Sequence, residues 1–265
     1  MSRNIPFLLF LSIFLISCKG NLELGEDHFA NENYEKAEFH FSKALKMDPN
    51  NWKILYNLAR CKEELEKYDE AIPLYSQSLN WNKAVATHLG RARCYEENGY
   101  IEGAIMDYTA AIEMKKAGNF EAYYGRGRCH IKEFNYYEAR SDLNKAIKMQ
   151  PSHVNAYYHR SISRSQLRDN HGALRDMNYV LKHKRNFRQA IFNRGIIHQR
   201  LGDWRSAKSD FDRAIDLELR SYDVFIRRGL CYYELGNLAR ACKDFQRAED
   251  YNPTRAKQVK NKYCS

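Results

Sequence analysis

Seven cysteines and nine histidines are the residues of this chain with the widest chemistry, since they can act as nucleophiles, proton carriers, metal ligands or disulfide partners. Four of the cysteines recur at one point of a periodic pattern: Cys61, Cys94, Cys129 and Cys231. Neighbouring copies of such a pattern lie about a helix pair apart, whereas a disulfide needs Cα atoms within about 7 Å. These four are therefore predicted to be small buried core residues, and Cys242 and Cys264 receive no role.

The histidines do not have the spacing of a metal site. His28, His130 and His198 stand at the same position of three copies of the pattern, which favours packing residues over ligands. The chain has no phosphate-binding loop, no H-E-x-x-H pair and no G-x-S-x-G motif, and Gly125 and Gly127 lack the third glycine of a dinucleotide-binding loop. The sequence therefore predicts a protein without catalytic residues, metal or cofactor.

Cys18 stands in a different context, directly after a short apolar segment. Arg3 precedes an apolar run over residues 7–16, which is about half the length needed to span a bilayer. Residues 15–18, Leu-Ile-Ser-Cys, resemble the lipobox of bacterial lipoproteins. This resemblance implies a signal peptide over residues 1–17, diacylglycerol on Cys18 and stable anchoring to a membrane. The alternatives are a plain secretory signal with a coincidental cysteine, or an N-terminus that is not cleaved.

One repeated pattern dominates the rest of the chain and must position these residues. Alanines recur at intervals of 33 to 35 residues: Ala37, Ala71, Ala104, Ala139, Ala173, Ala207 and Ala241. A small residue stands twelve positions before each alanine, and a large one stands four positions after it. Small residues at fixed positions would let two segments of one repeat approach closely, while the large residue fills the gap toward the next repeat.

The pattern resembles the tetratricopeptide repeat, a helix–turn–helix unit with a 34-residue period. Over about residues 18–253 the resemblance implies an all-α fold, an α-solenoid of seven repeats wound into a right-handed superhelix. The expected repeats cover residues 18–51, 52–84, 85–119, 120–153, 154–187, 188–221 and 222–253, and residues 254–265 form a capping helix. With the alanine as position 20, helix A covers about positions 1–14 and helix B about positions 18–31. Asp203 and Asn237 are predicted N-caps of B helices.

A second pattern couples an arginine at position 7 to an aspartate at position 23. Both occur in repeats 3 to 7 and both are missing from repeats 1 and 2. This co-occurrence predicts structural ion pairs, each worth about 0.2–1 kcal/mol if exposed. The expected pairs are Arg91 with Asp107, Arg126 with Asp142, Arg160 with Asp176, Arg194 with Asp210, and Arg228 with Asp244.

In the tetratricopeptide repeat family, positions 2, 5, 6, 9, 12 and 13 of helix A line a concave ligand groove. The resemblance implies an extended peptide as ligand, which aromatic, Arg and Asn side chains can pack against and hydrogen-bond. The implied groove residues are Tyr56, Asn57, Arg60, Arg93, Tyr124, Arg128, Tyr158, His159, Phe192, Asn193, Arg227 and Tyr233. Asn193 and Arg227 match two of five positions of the carboxylate clamp in chaperone-binding members. The other three depart from it, with Tyr158 and Asp223 in place of Lys and Ile162 in place of Asn.

Composition and charge limit the remaining function classes. The chain has 265 residues, 44% of them hydrophobic and only 5 of them Pro, which excludes a disordered or collagen-like protein. Residues 85–265 carry a net charge of +12, densest over residues 182–188, whereas residues 19–84 carry −3. The positive charge suits an acidic protein partner, anionic lipid headgroups or nucleic acid, of which nucleic acid fits an exported lipoprotein least.

Together these features predict a non-catalytic scaffold, lipid-anchored in the bacterial cell envelope, that holds a segment of another envelope protein in its groove. Lys19 after the cysteine favours the outer membrane, with the protein facing the periplasm or the surface. The alternatives are an intracellular peptide-binding regulatory module with an uncleaved N-terminus, and a nucleic-acid binder that uses the basic C-terminal half. The pattern specifies neither the partner's identity nor the oligomeric state.

Overall fold

The computed structural model describes residues 20–114 and 119–264, and no strand occurs among them. The predicted signal peptide and Cys18 lie outside the described residues. Fifteen helices follow one another in this part of the chain: α1 (20–30), α2 (Tyr34–Met47), α3 (Trp52–Glu64), α4 (Tyr68–Trp81), α5 (Val85–Glu97), α6 (Ile101–Met114), α7 (Phe120–Lys132), α8 (Tyr136–Met149), α9 (Val154–Gln166), α10 (Asn170–His183), α11 (Arg188–Arg200), α12 (Trp204–Asp216), α13 (Tyr222–Glu234), α14 (Leu238–Glu249) and α15 (Pro253–Tyr263). Odd-numbered helices up to α13 are the A helices, and even-numbered helices are the B helices.

The chain divides between Glu133 and Phe134 into two compact units. The N-terminal unit contains α1–α7 and the C-terminal unit contains α8–α15. Within each unit, every helix packs against the next one along the chain. The predicted all-α fold of consecutive packed helix pairs is therefore confirmed, and the division falls inside repeat 4.

The periodic alanines and large residues form the core of each pair. All seven alanines at position 20 are fully buried, and the large residues at position 24 are at most 2% exposed. When the large residue is tyrosine, its longer ring reaches helix A of the next repeat, where a glycine leaves room for it. A Cβ on Gly90 would lie 2.5 Å from the ring of Tyr75, and Gly125 makes the same room for Tyr108. Glycine at these two positions therefore sets how closely successive repeats approach.

In two turns between helices A and B, the residue predicted as N-cap does cap helix B. The side chain of Asp203 accepts a hydrogen bond from the backbone N–H of Ser206 at 3.1 Å. Asn237 accepts one from the N–H of Arg240 at 3.1 Å, so both predicted N-caps are confirmed. At position 15 the backbone takes the left-handed conformation that favours glycine, yet repeats 1, 2, 4 and 5 have another residue there, such as Arg168 with a φ of +63°.

An arginine at position 7 connects three helices. Arg194 of α11 donates from Nε and Nη2 to the carboxylate of Asp210 on α12, at 2.8 and 2.6 Å. Its Nη1 donates to Asn178 of α10 at 3.0 Å. The same bidentate geometry joins Arg91 with Asp107, Arg160 with Asp176, and Arg228 with Asp244. All four aspartates are at most 5% exposed, so these arginines are occupied within the fold.

The third contact of each arginine lies outside the predicted pattern. Nη1 donates to a polar residue at position 25 of the preceding repeat: Ser76, Thr109, Asn144, Asn178 and Asp212. Arg91, Arg160, Arg194 and Arg228 therefore each join helix A to its own helix B and to the helix B before it. Arg126 makes this bond to Thr109 within the N-terminal unit, and its pairing with Asp142 stays a prediction.

A disulfide bond joins Cys242 and Cys264, which the repeat pattern does not predict. Cys242 lies on α14 and Cys264 directly follows α15, so the bond fixes the end of the capping helix to the last repeat. Next to it, Tyr263 packs against Tyr233 and Phe245, with ring centroids 4.8 and 5.7 Å apart. The capping helix is therefore held by a covalent bond as well as by aromatic packing.

The four periodic cysteines are buried, as predicted. Burial raises the pKa of Cys61, Cys94 and Cys129 to about 12 and the pKa of Cys231 to about 11. Thiols with such pKa values carry almost no thiolate at neutral pH, so these residues are inert packing groups.

Replacing the disulfide, as in Cys242→Ser/Cys264→Ser, is expected to lower the free energy of unfolding by about 3 kcal/mol, because the bond links residues 22 positions apart. Urea unfolding of the wild type, with and without dithiothreitol, measures this beside the double variant. Reduction should bring the wild type to the level of the variant and leave the variant unchanged. Equal stability of the oxidised wild type and the variant would contradict a stabilising role.

Asp107 is expected to give the fold a measurable pH dependence. Burial raises its pKa, but hydrogen bonds from Arg91 and from His88, whose Nδ1 is 2.8 Å away, outweigh burial, so the pKa lies below its ordinary value. A carboxylate with a depressed folded-state pKa stabilises the fold above its unfolded pKa of about 4, and that stabilisation is lost as the pH falls through the folded-state pKa.

Asp107→Asn is accordingly expected to destabilise the protein by about 2 kcal/mol at pH 7. The difference from the wild type should shrink toward pH 3, as followed by urea unfolding at several pH values. Asp216→Asn is the matched control, because Asp216 is exposed and its substitution should leave stability unchanged. A difference that stayed constant with pH would argue against the charged pair.

Candidate functional site

In the N-terminal unit, the arginines predicted to line the groove are held by carboxylates. Arg93 of α5 donates from Nε to Glu63 of α3 at 2.5 Å and also pairs with Glu121 of α7. Arg128 of α7 donates from Nη2 to Glu96 of α5 at 2.6 Å. Burial lowers the pKa of Arg93, but its hydrogen bonds to Glu63 and the charges of Glu63 and Glu121 outweigh burial, so the pKa lies above its ordinary value. Both guanidinium groups are therefore already neutralised.

A tyrosine completes each of these networks. The Tyr75 hydroxyl donates to Glu63 at 2.5 Å, and the Tyr108 hydroxyl donates to Glu96 at 3.4 Å. Tyr124 lines the same cavity, which has a volume of about 420 Å³. Five glutamates and two arginines line this cavity, so its charge is negative.

The remaining predicted groove residues of the N-terminal unit are engaged with α1 and with each other. Asn57 is 8% exposed and donates to Glu26 of α1 at 3.3 Å. The Arg60 guanidinium lies over the rings of Phe29 and Tyr56, 4.2 and 5.7 Å from their centroids. These three side chains pack and hydrogen-bond within the unit.

In the C-terminal unit, three consecutive A helices surround a cavity of about 330 Å³. The lining residues are Ser161, Ile162, Ser165 and Gln166 of α9, Asn193, Ile196, Ile197 and Arg200 of α11, and Arg227 of α13. Asn193 and Arg227 are thus brought together as the resemblance implied. None of the described residues that line the cavity is acidic, in contrast to the cavity of the N-terminal unit.

The two arginines of this cavity have neutral hydrogen-bond acceptors. Arg227 donates from Nη1 to Oε1 of Gln199 at 3.3 Å. Arg200 donates to the carbonyl and hydroxyl oxygens of Ser165, both at 2.6 Å. Among residues 20–114 and 119–264, no carboxylate oxygen lies within 4.0 Å of either guanidinium. Two positive charges therefore face the cavity without a counter-ion.

The other predicted groove residues of the C-terminal unit surround this cavity or pack nearby. Asn193 donates to the hydroxyl of Tyr158 at 3.1 Å, and the ring of His159 lies edge-on to Tyr158 with centroids 5.2 Å apart. Phe192 packs into the core of repeat 6. Tyr233 is 42% exposed and packs against α15.

Several residues of the two cavities were not among the predicted site residues. Arg200 stands at position 13 and Glu63, Glu96 and Ser165 at position 12, so the groove positions of the family contained the signal for all four. Ser161 stands at position 8, where a small side chain was interpreted as a packing residue. Its buried hydroxyl has no hydrogen-bond partner among the described residues.

The described residues offer no group of three or more His, Cys, Asp or Glu side chains that could hold a metal ion. The side chains that line the two cavities are charged, hydroxyl-bearing, amide or apolar.

Comparisons with known proteins agree with this architecture. Models of the tetratricopeptide repeat match residues 28–87, 120–153 and 192–256, which together make up more than half of the chain. Human (Homo sapiens) sperm-associated antigen 1 is 33% identical over 114 residues, which are 43% of this chain and 11% of that protein. The chain therefore spans only a small part of this relative.

Two solved structures have the same fold. A tetratricopeptide repeat protein from Parabacteroides merdae superposes with a TM-score of 0.65 at 23% identity, over 92% of this chain and 98% of that one. YrrB, described as a TPR protein with an unusual peptide-binding site, superposes with a TM-score of 0.60 at 18% identity, over 67% and 91% of the two chains. At these identities the structures show the fold alone. The periodic sequence, the packed helix pairs and the three matching repeat models together establish that this chain belongs to the tetratricopeptide repeat family.

Proposed function

We propose that this protein is a non-catalytic interaction scaffold of the bacterial cell envelope, anchored through a lipid on Cys18, that binds an extended segment of a partner protein. Its fold suggests a protein–protein interaction scaffold. The observation that carries the finer proposal is the cavity of the C-terminal unit, where Arg200 and Arg227 lack counter-ions beside three isoleucines. Apolar walls with a few converging polar groups are typical of a ligand site.

The arrangement of this cavity favours a peptide. Its lining comes from three successive A helices, so a bound chain can contact several repeats at once. Ile162 and Ile196 offer apolar contacts, while Asn193 and Gln166 offer amide groups to a backbone. The peptide-binding site named for YrrB, a protein of the same fold, supports this interpretation.

The cavity of the N-terminal unit favours different side chains of a partner. Its glutamates outnumber its arginines, and both arginines are paired, so basic residues would be attracted there. The proposed partner therefore carries both acidic and basic residues, rather than being acidic throughout.

The disulfide supports export from the cytosol. Bonds of this kind persist in oxidising compartments and are rare where glutathione keeps thiols reduced. Cys242 and Cys264 are bonded, whereas the four buried thiols are shielded from oxidation. An envelope location is consistent with one disulfide and four reduced, buried thiols in the same chain. It is also the location that a lipid anchor at Cys18 would give the protein.

Among the described residues, no helix combines the length and the hydropathy that a membrane crossing requires.

If a lipid on Cys18 anchors the protein, its presence in the membrane fraction should depend on this one cysteine. In cells making the full chain, wild type is expected in the detergent-soluble membrane fraction, whereas Cys18→Ala should lose membrane partition because no acyl chain can be attached. Cys61→Ala is the control, since it removes a buried thiol and should stay with the membrane. Mass spectrometry should find diacylglycerol on Cys18, and an intact Met1 in the cytosol would instead favour the intracellular alternative.

The scaffold itself predicts a partner that depends on the cavity. Capture from envelope and cytosol fractions with the wild-type chain should retain an envelope protein that Ile196→Lys retains at least about tenfold less, because the longer lysine side chain occupies the cavity and removes an apolar contact. Leu238→Lys is the matched control, since Leu238 is exposed on α14 and does not line the cavity. Identical capture by all three chains would contradict binding at this site.

A further inference from the structure

We infer that the cavity of the C-terminal unit is a carboxylate-binding site, in which Arg227, Arg200 and the hydroxyl of Ser161 hold one acidic group. This inference rests on the proposed function, since the acidic group belongs to the segment that the A helices bind. It adds the chemical class of the recognised group and names the residues that recognise it.

The hydrogen bonds of Arg227 leave one edge of its guanidinium without a partner among the described residues. Its Nη1 donates to Gln199, whose amide is held in place because its Nε2 donates to the Arg227 carbonyl oxygen at 3.0 Å. Within the described part of the chain, Nε and Nη2 of Arg227 have no hydrogen-bond acceptor. Nε and Nη2 lie on the edge of the guanidinium that can donate two parallel hydrogen bonds to one carboxylate.

Arginines of this same protein show what occupies that edge. In Arg194, Nη1 donates to the side chain of Asn178 while Nε and Nη2 bind the carboxylate of Asp210. Arg227 has the amide partner but not the carboxylate. An acidic group of a ligand would bind Nε and Nη2 of Arg227 as an aspartate of the same repeat binds these two groups of Arg194.

The electrostatic environment of Arg227 also favours an anion in the cavity. The pKa of Arg227 lies below its ordinary value, mainly because the side chain is buried. The charge of Asp223 raises this pKa, whereas the positive charge of Arg200 lowers it further. Asp223 lies one helical turn before Arg227 but does not line the cavity. A half-buried cation without a close counter-ion is costly, and an anion that enters the cavity removes that cost.

Ser161 favours a hydrogen-bond acceptor in the cavity independently of the arginines. It is fully buried, it lines the cavity, and its hydroxyl has no hydrogen-bond partner among the described residues. A buried hydroxyl without a partner destabilises the fold, and native structures retain few such groups. A carboxylate oxygen in the cavity would accept its hydrogen bond.

The site differs from the carboxylate clamp of chaperone-binding relatives. Ser161 at position 8 and Arg200 at position 13 lie outside the five clamp positions, three of which differ here. Ile162, Ile196 and Ile197 also line the cavity, whose volume of about 330 Å³ exceeds that of one carboxylate. The recognised feature is therefore an acidic group next to an apolar side chain.

Either a glutamate or aspartate side chain or a C-terminal carboxylate could supply this acidic group. Three short acetylated peptides of alanine and leucine distinguish these sources when they are titrated into the full chain in detergent. The first has a central glutamate and an amidated end, the second a central glutamine and a free C-terminal carboxylate, and the third a central glutamine and an amidated end. One carboxylate peptide should bind at least about tenfold more tightly than the neutral peptide.

Three variants test the assigned residues. Arg227→Gln should weaken binding of that carboxylate peptide about tenfold, whereas Arg175→Gln should not, although it removes the same charge from an exposed position on α10. Ser161→Ala should weaken binding several-fold while leaving the urea midpoint unchanged or raised, because it removes an unpaired buried hydroxyl. Weaker binding without lost stability is a result that a purely structural role would not produce.

Equal binding of all three peptides, including no binding of any, would overturn the carboxylate site, as would wild-type affinity in Arg227→Gln. The scaffold proposal would survive either result if Ile196→Lys still lost its envelope partner. Conversely, capture unaffected by Ile196→Lys together with a carboxylate response that depends on Arg227 would overturn the scaffold and leave the anion site standing.

Discussion

In repeats 3, 5, 6 and 7 the arginine at position 7 is the interaction on which the alignment of the helices depends. One guanidinium binds a buried aspartate of its own repeat and a polar side chain of the preceding helix B, so three helices share one side chain. A buried carboxylate without its partner costs several kcal/mol, so only the register that brings both together is stable. The apolar residues supply the attraction between helices, and the arginine fixes how the helices are aligned.

The two cavities differ in the residue at position 12 and in the positions of their arginines. In the N-terminal unit this position is Glu63 or Glu96, and each glutamate binds an arginine of the next repeat as well as a tyrosine of its own. In the C-terminal unit the corresponding residues are Ser165 and Gln199, which accept hydrogen bonds from arginine but carry no charge. The arginines also stand at different positions, since Arg93 and Arg128 at position 9 bind these glutamates, whereas Arg200 at position 13 and Arg227 at position 6 have neutral acceptors.

Sequence periodicity predicted what depends on a fixed residue type at a fixed position. The buried alanines and the caps at Asp203 and Asn237 were predicted because each follows from local chemistry repeated along the chain. The acceptor at position 25 was missed because the residue there varies among Ser, Thr, Asn and Asp. Only its place beside the arginine of the next repeat is constant, and the sequence does not show that place. The pairing of Arg93 with Glu63 was missed because the partners lie about one repeat apart. The disulfide was missed because Cys264 follows the last repeat, where the period ends.

Ligand binding and repeat packing use the same geometry in this protein. A position-7 arginine gives Nη1 to a polar side chain and its Nε–Nη2 edge to an aspartate of its own repeat. Arg227 stands at position 6, one residue before Arg228, whose edge is filled by Asp244. A shift of one position rotates the side chain by about 100° around the helix and turns it from the helix B side to the A-helix cavity. A partner's carboxylate would bind Arg227 as Asp244 binds Arg228. Ligand recognition would then use the same arginine–carboxylate pair that stabilises the repeats.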